Sequence, residues 1–325
     1  MNDHLPRRLH RALAFAVAAF IVATLLGACG GSGANGDVEF PKVITLGKGD
    51  IFPSIVNHAL GVGPNRVSIG LTDRDDRKIL DATLHVRFYL LNNDQQVLKS
   101  ESDARFVPAE LSYIDEGAGN ARTPVGRDGV YVVNTTFDEA GDWGMLVTVT
   151  RNGKTEKPIP FRFNVLDHTP EPGIGDIAPP SRQATLAGVS DITDIDTSSP
   201  PRPSMHNITV ADALAANQPV VVAFATPAFC ESRTCEPVME TIMDPLSAKY
   251  AGRATFIHIE PYDLKQLREA NVQIPVPATQ EWRLQDEPWV FIVDRSGRIA
   301  AKFEGITALD EVEAALQAAL AASPQ

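Results

Sequence analysis

The chain of 325 residues, 44% hydrophobic and 22% charged, is long enough for about two domains with cores of their own, which excludes disorder throughout. A net charge of -12 with no local basic patch repels a phosphate backbone and excludes nucleic acid as a partner. Three cysteines are too few for a disulfide-stapled scaffold or a cysteine-rich zinc site, so each is read by its own position.

The first element in the chain is a targeting segment. Arg7, Arg8 and Arg11 precede an apolar run over residues 12–26, shorter than the ~20 residues a membrane-spanning helix needs. Charge, length and the small residues that follow predict a signal peptide over residues 1–28. Its end, Leu26-Gly27-Ala28-Cys29, resembles the lipobox of bacterial lipoproteins. That resemblance implies lipidation of Cys29, which becomes the new N-terminus; the alternative is a secreted chain cut nearby. Two acyl chains give stable anchoring, so the expected address is extracytoplasmic, with the membrane as a partner through the lipid. Disulfides persist there. Residues 29–36, rich in glycine, form a flexible tether.

Residues 37–167 read as strands. Leu84, Val86, Phe88 and Leu90 alternate with Thr83, His85, Arg87 and Tyr89, the period of two that turns one face to a core. The pattern recurs at Trp143, Met145, Val147 and Val149, and at Ile159, Phe161, Phe163 and Val165, with Asn152-Gly153 as a tight hairpin turn between them. Short strands with turn signals and no long helical period predict an antiparallel β-sandwich. The stretch from Gly129-Val130-Tyr131 to Gly141-Asp142-Trp143 resembles immunoglobulin-like modules of bacterial exported proteins, which implies a fold and no function. His58 and His85 read as lone surface histidines, so no metal is assigned here. The run Asp73-Arg74-Asp75-Asp76-Arg77 lacks the glycine and terminal glutamate of a calcium loop and reads as a solvated turn. Residues 168–204 carry seven prolines in 37 positions, which denies them a ladder or helix interior and marks a linker.

Residues 205–325 form the second predicted domain, of α/β class. Thr209 and Asp212 start a short helix, and the apolar run over residues 219–224 predicts a strand covered on both faces. Val238, Met239, Ile242, Met243, Leu246 and Tyr250 predict a helix with one apolar face, and residues 255–260 predict a parallel strand after it. A hairpin over residues 289–303 turns at Asp294-Arg295-Ser296-Gly297. A last helix from about Thr307, with Asp310 in its first turn, is expected to bury Leu309, Val312, Leu316 and Leu320.

This order, with cysteines between the first strand and its helix, resembles the thioredoxin superfamily. Its most specific piece runs Phe224-Ala225-Thr226-Pro227-Ala228-Phe229-Cys230-Glu231-Ser232-Arg233-Thr234-Cys235-Glu236-Pro237 and is similar to membrane-tethered extracytoplasmic proteins of the TlpA and ResA kind. Glu287-Pro288 before a strand matches the cis-proline of that fold. The resemblance implies thiol–disulfide exchange with protein substrates, Cys230 attacking and Cys235 resolving. It implies that Pro288 in cis presents the Glu287 backbone to an extended substrate, and no cofactor.

Two features depart from the family. Four residues separate the cysteines instead of two, so the helix must start around Glu236 or Pro237 with Cys230 in a preceding loop. Arg233 is expected to favour a thiolate, Glu231 and Glu236 to oppose it. The family's buried carboxylate is replaced by Ala223, which leaves His258 and Glu260 as candidate proton-transfer groups or as a satisfied polar pair. A structural disulfide in a binding module, and copper(I) handling with Met239, Met243 and His258 nearby, stay open as alternatives.

Overall fold

Side-chain alternation builds the first half of the molecule. The structure, a computed structural model, describes residues 39–40, 51–92 and 95–322; the signal segment, Cys29 and the tether lie outside the described residues. Nine strands follow one another: β1 (Ile51–Ile55), β2 (Gly63–Asp73), β3 (Thr83–Asn92), β4 (Gln95–Asp103), β5 (Arg105–Asp115), β6 (Ala121–Phe137), β7 (Gly141–Arg151), β8 (Lys154–Thr155) and β9 (Ile159–Val165). They pair antiparallel in two sheets, one of order β1-β2-β6-β5 and one of order β4-β3-β7, with β8 and β9 both paired to β7. Leu84, Val86, Phe88 and Leu90 of β3 meet Val67 and Ile69 of β2 and Trp143 and Met145 of β7 in one buried core. Asn152 and Gly153 take positive φ angles of 53° and 73°, the conformation a two-residue hairpin needs. The run from Asp73 to Arg77 is a turn, closed by Asp73 Oδ1 accepting from the Asp75 and Arg77 amides.

Two-sided burial builds the second half. Helix α1 (Val210–Ala215) is capped by Thr209, whose hydroxyl accepts the Asp212 amide at 3.1 Å. Strand β10 (Val220–Phe224) runs parallel to β11 (Thr255–Ile259) and antiparallel to β12 (Trp289–Val293), which pairs antiparallel with β13 (Ile299–Glu304). The order is β11-β10-β12-β13. Val221, Ala223, Val290 and Ile292 pack into one core, and Val220, Val222, Phe224 and Phe291 into another. The two central strands, β10 and β12, therefore read as continuous apolar runs.

The helix predicted after β10 is divided into α2 (Cys235–Val238), a π-helical turn (Met239–Met243) and α3 (Asp244–Lys249). Pro245 has no N–H for the Thr241 carbonyl, and a widened turn before it accommodates the loss. Helices α4 (Leu264–Ala270) and α5 (Pro277–Glu281) were not predicted, being too short to show an apolar period. The last helix, α6 (Leu309–Ala321), buries Val312 and Leu316, but Leu309 is 38% exposed, because it is the first helical residue and precedes the stripe that meets the sheet.

The proline-rich segment is packed. Ser181, Asp196, Thr197, Ser198 and Arg202 are buried, and the backbone near residues 175–178 pairs with the start of β13, Gly175 donating to the Ile299 carbonyl at 2.8 Å. Prolines deny it a regular ladder, yet its polar side chains answer carboxylates of the second half. Both halves lie in one compact unit from Glu39 onward. Arg66 of β2 holds Glu311 of α6 at 2.9 and 3.0 Å, and Glu304 accepts from the His58 amide at 2.7 Å and the Asn57 side chain at 3.3 Å.

Candidate redox site

The loop between β10 and α2 carries both cysteines, joined as a disulfide with Cα atoms 6.0 Å apart. Cys230 lies in the loop, as four intervening residues require, and α2 begins at Cys235 itself, a residue or two before the expected start. Arg233 makes the turn possible by adopting a φ of 60°, a left-handed conformation that is costly for a residue with a Cβ. The helix N-terminus thus lies under Cys235, and its first amide acts on the other sulfur: Cys235 N–H donates to Cys230 Sγ at 3.3 Å. Ser232 Oγ stands 3.2 Å from the same sulfur and 2.7 Å from Thr234 Oγ1. When the disulfide is reduced, these donors favour a thiolate on Cys230.

The charges expected around the pair are arranged differently. Arg233 does not reach a sulfur; its guanidinium lies over the Tyr113 ring of β5, 4.4 Å from the centroid. Glu236 does not oppose the thiolate as a free charge either. Arg202 clamps its carboxylate at 3.0 and 3.2 Å and reaches Asp244 at 2.9 and 3.0 Å. Burial raises the Glu236 pKa, with Arg202 opposing.

Both sulfurs are fully buried. Part of the cover is β5, the edge strand of the first sheet: Ser112 N–H donates to the Arg233 carbonyl at 3.0 Å and Ile114 N–H to the Pro227 carbonyl at 3.1 Å. The sandwich therefore extends its edge onto the cysteine loop, in the manner of an added strand. Beside this contact a cavity of about 340 Å³ is lined by Ser232, Thr234 and Glu287 from one side and by Ser54, Lys78 and Asp128 from the other.

The Glu287–Pro288 bond is cis, and Pro288 is buried. A carboxylate oxygen of Glu287 lies within 4.8 Å of both sulfurs. Burial, with the nearby charges of Asp286 and Glu231, raises the Glu287 pKa, although Tyr262 OH donates to it at 2.5 Å. Sequence reasoning gave Glu287 only a backbone role; its neighbour Pro288 was the available clue.

His258 and Glu260 lie on and beside β11 and are buried. In the parallel ladder His258 pairs with Ala223, the position of the missing carboxylate, but its Nε2 meets the Ala225 carbonyl at 2.9 Å. Glu260 accepts from Thr197, backbone and hydroxyl both at 2.7 Å, and Thr197 Oγ1 in turn accepts the Ala228 amide at 3.1 Å. Burial pushes the Glu260 carboxyl up to about 7, against the charge of His258 and the Thr197 hydrogen bonds. Thr197, Asp196 and Arg202 were missed because the prolines around them read as linker, and His206, at the start of the predicted second domain, because the buried partners all four meet are not adjacent in sequence. Met239 and Met243 are core residues of the same cluster as the cysteines.

No family model and no curated protein matches the chain. Among solved structures, the chain is similar to a protein described as a thiol:disulfide interchange protein DsbE from Chlorobium tepidum, at 19% identity and a TM-score of 0.32, over 46% of this chain and 99% of that one. At that score the likeness carries no argument. What the second half shows by itself is the strand order β11-β10-β12-β13, the helix after β10 and the cysteine loop before that helix.

Proposed function

We propose that the protein is a thiol–disulfide oxidoreductase held at an extracytoplasmic membrane face by a lipidated Cys29, with an immunoglobulin-like sandwich ahead of a thioredoxin-like domain of the TlpA and ResA kind. The observation that carries this reading is the convergence of the Cys235 amide and the Ser232 hydroxyl on Cys230 Sγ, with the Glu287 carboxylate beside both sulfurs. In the reduced protein, the Cys230 thiolate attacks a substrate disulfide, forming a mixed disulfide and releasing one substrate thiolate, which takes up a proton. Cys235, deprotonated by Glu287, then attacks Cys230 Sγ. The Cys230–Cys235 bond forms, the second substrate thiolate leaves, and two electrons have passed from the protein dithiol to the substrate; a partner dithiol restores the pair by the reverse exchange. Glu260 serves as a further proton reserve, and the cis bond at Pro288 sets the Glu287 backbone for an extended substrate.

Burial of both sulfurs supports a second reading, a binding module with a structural disulfide. One variant separates them. Cys235→Ser is expected to trap mixed disulfides through Cys230, because attack survives while resolution is lost. If Cys230 and Cys235 in the reduced, folded protein alkylate equally slowly and no partner is trapped, the structural reading stands. The pair's removal then costs stability alone, about 2 kcal/mol for so short a loop.

A further inference from the structure

Behind the cysteine loop, two histidines converge on one carboxylate. Asp196 comes from the proline-rich segment, His206 from the turn before α1 and His258 from β11, and all three are at most 1% exposed. His206 Nε2 lies 3.1 Å from Asp196 Oδ2 and His258 Nδ1 lies 3.6 Å from Asp196 Oδ1. One ligand atom from each of the three residues lies within 4.8 Å of the others. Ligands held at about 2.0–2.2 Å in a tetrahedron stand about 3.4 Å apart, close to the two contacts with Asp196, one to each oxygen of its carboxylate.

The second observation is the state of His258. Its Nε2 is engaged by the Ala225 carbonyl, a contact in which the ring must donate, so in the neutral ring the proton is on Nε2 and the Nδ1 lone pair is bare. That Nδ1 is buried with no hydrogen-bond partner, and it faces a carboxylate oxygen, another acceptor. Two acceptors turned towards each other in a buried site need a cation between them, a proton or a metal ion. Supporting contacts of the kind that orient metal ligands are present. The Ala225 carbonyl fixes the His258 ring, and the amides of Ser198 and Arg202 fix the two Asp196 oxygens at 2.8 and 2.6 Å. A cavity of about 870 Å³ reaches His206, His258 and Glu260, which leaves a path for an ion and room for a fourth ligand.

We propose that Asp196, His206 and His258 form a binding site for one divalent transition-metal ion of the zinc(II) type, with the fourth position open to the cavity. Two neutral imidazoles and one carboxylate leave the ion a net charge of about +1, and nitrogen and oxygen donors of this set suit zinc. The site is separate from the sulfurs and does not depend on whether they are redox-active.

The test uses the full chain carrying Cys29→Ser, with Cys230 and Cys235 oxidised, so that thiolates cannot contribute. Equilibrium dialysis against zinc(II) is expected to leave one ion per chain. Cobalt(II) in its place is expected to show the visible bands of a four-coordinate nitrogen–oxygen site without sulfur charge-transfer absorption. His206→Gln and Asp196→Asn, each checked for folding by circular dichroism, are expected to weaken zinc binding by about 100-fold or more. His85→Ala, at the exposed contact of His85 with Glu101 and Asp103, is expected to leave it unchanged. The proposal is overturned if the oxidised Cys29→Ser chain takes up no zinc, which would mean that a proton alone resolves the contact between His258 and Asp196. It is equally overturned if binding survives in both folded variants or is lost in His85→Ala.

Discussion

Ser232 shows how far one hydroxyl decides the chemistry of a loop. It bridges Cys230 Sγ and Thr234 Oγ1, so in the reduced protein it can donate to the Cys230 thiolate while accepting from Thr234. A hydrogen bond worth about 1 kcal/mol to one protonation state is about 0.7 of a pKa unit. Ser232→Ala is therefore expected to move the midpoint of Cys230 alkylation upward by about that amount, measured as rate against pH on the reduced protein. An unchanged midpoint would remove Ser232 from the thiolate's support. The two cysteines and Pro288 were legible in the sequence because their signal is local. Ser232 was not, since its contact exists only once Arg233 takes its left-handed turn. Glu236, read as a free charge beside Cys235, is clamped by a guanidinium 34 residues earlier in the chain.

At the scale of elements, the central fact is that an edge strand finds a partner. β5 pairs with β6 on one side and offers the Ser112 and Ile114 amides to the cysteine loop on the other. An unpaired strand edge is a liability, and covering it with the loop removes that liability while hiding the disulfide. Proline at an edge position leaves the inner ladder intact and deletes an outward amide. Ser112→Pro is accordingly expected to raise the rate of Cys230 alkylation in the reduced protein by roughly 5-fold, the equivalent of one hydrogen bond of about 1 kcal/mol. The contrary finding, no change in rate, would show that the sandwich does not govern access. The alternation in β3, β7 and β9 was visible from sequence because each strand buries one face. What β5 does at its edge was not, because backbone groups leave no trace in side-chain pattern.

For the molecule as a whole, the seam between the halves is tuned by protons. Glu304 of β13 lies against Asn57 and His58, and burial together with the charge of Asp286 pushes its carboxyl up to about 8 from an ordinary 4.5. Between those two values the native state holds a proton that the unfolded chain has released. The stability this contributes is present in full below about pH 4.5 and is lost as pH rises through about 8. Unfolding temperature is expected to fall across about pH 5 to 9, and Glu304→Gln, with no proton to lose, should flatten the profile, the remaining slope belonging to Glu260 and the other buried carboxyls whose pKa is raised, Glu236 and Glu287. An identical slope in the variant would place the titration elsewhere. Side-chain pattern distinguishes a strand-rich stretch from one that mixes strands and helices, but it is blind to this seam and to the role of residues 168–204. Arg202 and Thr197 from that stretch complete charges and hydrogen bonds that the second half cannot satisfy alone.

Under the proposed activity, strand pairing over the disulfide would also sort callers at the door. Two amide hydrogen bonds of about 1 kcal/mol each leave the loop uncovered in about one molecule in thirty. A small free thiol arriving there must wait for that rare population and gains nothing that offsets the opening. A peptide arriving in extended form can hand its own amides to the Arg233 and Pro227 carbonyls as Ser112 and Ile114 withdraw, so the hydrogen bonds are exchanged rather than lost. Under the proposed activity, the cover would thereby discriminate by backbone shape, before any side chain is read, and would turn a barrier against small reductants into a preference for unfolded polypeptide.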